Sequence, residues 1–342
     1  MPELPEVETV LRGLNQLTRN QKITGGDVLL ERAIAYPFSS FEFISGIKGN
    51  AIATWHRRGK YLLAELSSER DGGTGGQGDF LENNSSFSPF GFASRTPGAT
   101  TEGTSATHWL LNALNPRTAL DSPSPPLPLS PSPISFLGVH LRMTGQLLWV
   151  HRDEPLHKHT RVRLFFGSEQ ELRFVDQRTF GKMWWVPPGV AVESIITGLQ
   201  KLAIEPFSLE FTVEYLISKL QNRRRPIKTA LLDQSVVAGL GNIYADEALF
   251  LSGIRPETLC IDLKTEQIER LRSHIIQVLE TSIAAGGTTF SNFLNIKGVN
   301  GNYGGVAWVY NRAGEPCRIC GTAIERIRLG GRSSHFCIQC QR

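Results

Sequence analysis

The 342-residue chain is 40% hydrophobic and 20% charged, with 36 basic and 32 acidic side chains and a formal net charge of +4. Those values describe a soluble globular protein long enough for about two domains. They exclude a membrane-spanning chain, because no apolar run approaches the roughly 20 residues that a bilayer requires. In chain order, MPELPEVETV comes first. It carries Glu3, Glu6 and Glu8 and no early basic residue, so it is neither a secretory signal nor a transit peptide. Pro5 suits the first position of a helix, where no amide donor is needed, and Val7, Val10, Leu11, Leu14 and Leu17 follow at helical spacing. That reading accounts for Pro5 and leaves Pro2 and Glu3 unexplained.

ATWHRRGKYLLAEL ends in a hydrophobic strand. Residues 68–133 then interrupt the pattern: 34 of these 66 residues are Gly, Pro, Ser or Thr. Such a segment buries too little apolar surface to offset its ordering entropy, and it is expected to be a disordered insertion. One short helix is expected within it, at His108 to Leu114. The insertion holds three basic and six acidic side chains. The rest of the chain therefore has a positive surplus larger than the overall +4 and leans toward a polyanionic partner. Beyond it, SFLGVHLRMTGQLLWV, TRVRLFF, ELRFVD and KMWWV are short runs rich in β-branched and aromatic residues. With the leading helix they predict an α+β fold, an antiparallel β-sandwich reaching to about Phe207. From Thr212 the period becomes helical: TVEYLISKLQN, a helix opened by Pro226 through Leu232, and NIYADEALFLSG closed by Gly253. A long helix follows, with Ile268, Leu271, Ile275, Val278, Leu279 and Ile283 on one face, ending at Gly286-Gly287. The expected organisation is a β domain over 1–207, a helical domain over 208–288, and a glycine-rich loop with a cysteine module over 289–342.

The module is spaced Cys317-x2-Cys320-x16-Cys337-x2-Cys340. Two pairs at that interval suit one structural Zn²⁺ held by four thiolates, closed to catalysis, in an intracellular protein. Between them, IERIRLGGRSSHF reads as a hairpin with Gly330-Gly331 at its tip, from which Arg332 would project toward a phosphate or a groove. Cys260 lies outside the pattern and is expected to be a buried hydrophobe.

MPELPEVET, RRGKYLL, RMTG, DQRTFG, VVAGLGNIYADEAL and the four-cysteine finger together resemble the formamidopyrimidine-DNA glycosylase family, bacterial repair enzymes for oxidised guanine. The resemblance spans the chain except residues 68–133. It implies a bifunctional glycosylase and abasic-site lyase acting on double-stranded DNA that contains oxidised bases, as a monomer in the bacterial cytoplasm at the nucleoid. It implies no organic cofactor. Removal of Met1 would leave Pro2 as a secondary amine that attacks the sugar and forms an iminium, with Glu3 as the proton donor. Lys60 of RRGKYLL assists strand cleavage, and the finger's Arg332 serves the second elimination. Met143, Arg178 and Phe180 match the trio that fills the gap left by an extruded base. Phosphate contacts transfer to His159, to Arg223, and to Asn242 at a helix start where amides and dipole meet an anion. The segment Ile296 to Gly305 resembles the loop that closes over the extruded base. Pattern alone reads some of these otherwise: Lys60 as a strand-edge surface lysine, Met143 and Phe180 as sandwich core. Thr179 departs from the family, many of whose members have a basic residue there. Two rivals are the endonuclease VIII type, specific for oxidised pyrimidines and usually opening PEGPE, and a zinc-finger DNA-binding protein without catalysis.

Overall fold

The computed structural model describes residues 2–68, 134–288, 296, 298–299 and 301–342. The expectation of disorder and a short helix between 69 and 133 lies outside these residues, as does part of the glycine-rich loop.

Helix α1 (Leu4–Thr18) forms as its apolar spacing requires, with a proline in the first turn and Val7, Val10, Leu11 and Leu14 buried. The backbone amide of Glu3, just before the helix, donates to Glu6 Oε2 at 2.8 Å. Two sheets follow. One has the order β1-β7-β8-β6 and the other β2-β9-β5-β4-β3, built from β1 (Ile23–Val28), β2 (Ile34–Tyr36), β3 (Ala51–Arg58), β4 (Tyr61–Ser67), β5 (Ser135–His140), β6 (Gly145–His151), β7 (Thr160–Phe166), β8 (Gln170–Asp176) and β9 (Lys182–Val186). Helix α2 (Ser40–Ile47), absent from the sequence reading, is capped by the Ser39 hydroxyl, which accepts from the Glu42 amide. Among the described residues every strand pair of these two sheets is antiparallel except β2 with β9, so the expected antiparallel sandwich holds with one parallel edge. The core between the sheets and α1 is apolar, with Trp55, Phe43, Phe166 and Phe174 at its centre.

Short helix α3 (Val192–Ile195) leads to a second apolar cluster made by α4 (Val213–Leu220), α5 (Ile227–Leu231), α6 (Asn242–Leu251) and α7 (Thr265–Ala284). Cys260 is fully buried in it, as its composition suggested. Gly286 and Gly287 end α7 with φ of 75° and 81°, and Gly253 follows α6 at 69°, the left-handed conformations that stop helices. The C-terminal hairpin pairs β10 (Glu325–Leu329) with β11 (Arg332–Phe336), Leu329 opposite Arg332. Gly330 and Gly331, both at positive φ, make its two-residue turn. No helix among the described residues is long and apolar enough to cross a membrane.

Candidate active site at the junction of sandwich, helices and finger

Leu4 is tied to the helical region by its amide, which donates to Gly239 O at 3.1 Å. That anchor delivers Glu3 to the N-terminus of α6. The Glu3 carboxylate accepts from the amides of Ile243 at 3.0 Å and Tyr244 at 3.5 Å, two donors that have no partner inside the helix. The helix-terminus amides expected to meet a phosphate are thus engaged by a carboxylate of the chain itself. Gly241 makes the approach possible, because a Cβ there would collide with the Glu3 carboxyl. Glu3 is 2% exposed. Burial pushes its carboxyl above the ordinary range; nearby Lys60 opposes that shift and Glu6 adds to it.

Lys60 sits in the two-residue turn between β3 and β4, after Gly59 at φ 58°. It is 6% exposed, and its ammonium donates to Leu240 O at 3.0 Å. The surface-lysine reading is therefore overturned: the turn is packed under the helical region. Burial lowers the Lys60 pKa, Glu3 works against that, and Arg332 adds to it.

A cleft of about 470 Å³ collects these groups. Its lining includes Glu3, Lys60, Met143, Asn242, Tyr310 and Arg332, contributed by the sandwich, α6 and the finger. Pro2 is buried beside Glu3, off that lining. Arg332 is exposed at the hairpin tip, as its sequence position suggested. Met143 is half-buried and Phe180 is 50% exposed, so neither belongs to the core that apolar pattern assigned them. Phe180 lies under the Arg178 guanidinium, 5.0 Å from ring centre to carbon. The buried Asp176 holds the loop that carries both: Thr144 donates to it at 2.5 Å, Gly181 N at 2.7 Å and Arg178 N at 3.2 Å. On the same edge, His159 O accepts from Asp176 N at 2.9 Å. Partial burial and the neighbouring cations Lys158 and Arg161 lower the His159 pKa. At Thr179 the Arg32 guanidinium donates to the hydroxyl at 2.6 Å, so a cation does stand there, brought in from before β2. Arg223 is half-exposed and 3.7 Å from Asp233, outside the cleft with His159, Arg178 and Phe180.

Sequence reasoning missed Glu6 and His140. Glu6 accepts from the Tyr244 hydroxyl at 2.5 Å and from Thr288 N at 2.9 Å as well as from Glu3 N, joining α1 to the first turn of α6 and to the residues just past α7. Its signal was the spacing Glu3-x-x-Glu6, a capping-box interval. His140 lines the cleft, and burial with Arg142 and Lys60 nearby pushes its pKa down to about 3.

Cys317, Cys320, Cys337 and Cys340 bring their sulfurs within 4.8 Å of one another. The Cys317–Cys340 and Cys320–Cys337 separations are 3.8 and 3.4 Å. A tetrahedron of thiolates about 2.3 Å from Zn²⁺ has edges near 3.8 Å, so the four residues fit one structural zinc. The Ile319 amide lies 3.5 Å from Cys317 Sγ as a donor.

Three family models match the chain: the formamidopyrimidine-DNA glycosylase N-terminal domain over residues 1–80 and 84–183, its H2TH domain over 202–293, and a zinc finger found in FPG and IleRS over 314–342. The formamidopyrimidine-DNA glycosylase of Nostoc punctiforme is 69% identical, over 100% of this chain and 96% of its own length. That of Trichodesmium erythraeum is 56% identical over 100% of both. Among solved structures, the Lactococcus lactis Fpg complex with abasic-site DNA is 27% identical with a TM-score of 0.74, covering 99% of both chains. The wild-type Lactococcus lactis enzyme with DNA containing an oxidised pyrimidine is 28% identical at 0.73, covering 100% of both. The chain belongs to the formamidopyrimidine-DNA glycosylase family.

Proposed function

We propose that this protein excises oxidised purines, 8-oxoguanine and formamidopyrimidines, from double-stranded DNA and then cuts the strand at the resulting abasic site. The observation that carries the reading is the convergence of Glu3, Lys60 and Arg332 on one cleft, with the carboxyl's pKa raised and the ammonium's lowered by burial. A carboxyl held above its usual range keeps a proton to give, which suits Glu3 to protonating the sugar ring oxygen. Removal of Met1 would free the Pro2 nitrogen. An α-amino group titrates near 7.7–8.0, so a useful neutral fraction exists at physiological pH.

The neutral nitrogen attacks C1′, the C1′–N bond to the base breaks, and the ring opens to an iminium. Loss of the C2′ proton then breaks the C3′–O bond, and loss of the C4′ proton breaks the C5′–O bond. Lys60 assists these eliminations, and Arg332 serves the second. Met143, Arg178 and Phe180 fill the space of the extruded nucleotide, while His159, Arg223 and Asn242 face phosphates. The one zinc orders the finger and takes no part in a step. The three parts 1–207, 208–288 and 289–342 act on DNA in the bacterial cytoplasm, at the nucleoid.

The test is borohydride reduction with an 8-oxoguanine duplex, followed by mass spectrometry of the cross-link. A sugar remnant on Pro2 is expected; a remnant on Lys60 overturns the assignment, and no adduct at all favours a non-catalytic DNA binder. Because one solved relative holds DNA with an oxidised pyrimidine, a thymine glycol duplex is the comparison substrate. Faster release from it would favour the pyrimidine-specific reading.

A further inference from the structure

Helices α5 and α6 contain a charge pair that the chemistry above does not use. Lys228 Nζ lies 2.6 Å from Asp246 Oδ1, and both side chains are at most 1% exposed. A buried pair of this kind is a poor stabiliser, since both ions forfeit their hydration and apolar residues of similar volume often serve as well. The hydrogen bonds that these two side chains make all lead to the finger. The Lys228 ammonium also donates to Ser333 O at 2.6 Å, and Asp246 Oδ2 accepts from His335 N at 2.9 Å.

Those two backbone groups share a side of β11. Along an antiparallel strand the N–H and C=O of alternate residues point the same way. With Arg332 opposite Leu329 across the tight turn, the backbone groups of Arg332 and Ser334 face β10, and those of Ser333 and His335 face away from it. A two-stranded hairpin leaves that outer edge with an unpaired acceptor and an unpaired donor. Lys228 supplies a donor and Asp246 an acceptor at the matching interval, standing where a third strand would. Gly330, at the tip, is packed against Thr229 of α5: a Cβ there would lie 3.0 Å from Thr229 Cγ2.

We propose that Lys228 and Asp246 are positioning residues for Arg332, a latch that grips the free edge of the finger hairpin and aims its tip into the cleft. The residue gripped by the ammonium is the immediate neighbour of Arg332, so a loss of grip displaces the guanidinium before anything else in the site. Zinc ties the base of the hairpin and the latch ties its tip, which gives the two ends separate controls. The inference rests on the role given to Arg332 under the proposed function and adds how the fold enforces it.

The full-length, zinc-replete protein and its Lys228→Met/Asp246→Leu variant are compared on an abasic-site duplex. Zinc content, borohydride trapping rate and the ends left by each elimination are measured. The expected variant keeps one zinc and traps within about threefold of the parent. Its 3′-phosphate product, which needs the second elimination, falls at least about tenfold relative to the 3′-unsaturated aldehyde. Adding Arg332→Ala to it should bring no further loss, because the guanidinium is already misplaced. Should the double variant fail to fold, Lys228→Met alone, which removes the donor to Ser333 O, is read in the same way. Undiminished 3′-phosphate product from a folded variant overturns the latch. Absence of any adduct with the parent protein would instead sink the proposed function itself.

Discussion

Replacing Gly241 by alanine tests whether Glu3 owes its place to the terminus of α6. The Gly241 backbone is extended, with φ −139° and ψ −164°, a conformation that alanine adopts. The obstacle is space: the new methyl would collide with the Glu3 carboxyl. Restoring ordinary contact needs a displacement of about 1 Å, and a shift of that size in a catalytic group costs on the order of 100-fold in rate. The displaced carboxylate also gives up the amides of Ile243 and Tyr244. Loss of both hydrogen bonds amounts to about 1–3 kcal/mol of stability. Two measurements read these effects apart: urea denaturation for stability, and single-turnover release of 8-oxoguanine for chemistry. A preformed abasic duplex, which needs no base expulsion, should suffer less than the 8-oxoguanine duplex. A folded Gly241→Ala protein that released 8-oxoguanine within about threefold of the parent rate would refute the argument.

Four further outcomes are expected. Because burial raises the Glu3 carboxyl, the unfolded chain gives up this proton at lower pH than the folded one, so Glu3 subtracts stability as pH rises through the carboxyl range. Glu3→Gln should therefore be more stable than the parent at pH 8, with the gap shrinking toward pH 3; urea titrations that found the gap widening on acidification would contradict this. The Glu247 carboxylate accepts from the amides of Trp308, Val309 and Tyr310 at 2.7 to 2.9 Å, so Glu247→Ala should cost about 3–5 kcal/mol in urea melts. Chelation of zinc, or Cys340→Ser, should abolish strand cutting through loss of the finger fold while the sandwich keeps its far-ultraviolet signal. Replacing 69–133 with Asn-Gly should leave trapping unchanged, since Leu66 and Ser135 are already paired across β4 and β5.

The helical half and the finger were legible because their signals are local. Pro5, the apolar period from Ile268 to Ile283 and the Gly330-Gly331 turn each act within a few residues, and each appears where it was read. The edges of the sandwich were not. β1 is ITGGDV, whose glycines hide its strand character, and the parallel pairing of β2 with β9 joins segments far apart in sequence. Periodicity also misread Met143: it follows the fully buried strand β5, but Arg142 at φ 53° turns the chain away and brings the methionine to the cleft. The burial of Lys60 depends on Leu240, 180 positions along the chain. No window on the sequence contains that contact, and family resemblance alone supplied the residue's importance.

The antiparallel pairing of β4 with β5 carries a lesson about how such a chain can change. The closure cost of a loop grows only with the logarithm of its length, so lengthening a two-residue turn about thirtyfold costs about 3 kcal/mol. A lineage can meet that from a few improved contacts elsewhere. The seam between Ser67 and Ser135 is therefore where genetic material can accumulate or vanish with little penalty, and where a fluorescent reporter could be spliced in while the residues that line the cleft stay untouched.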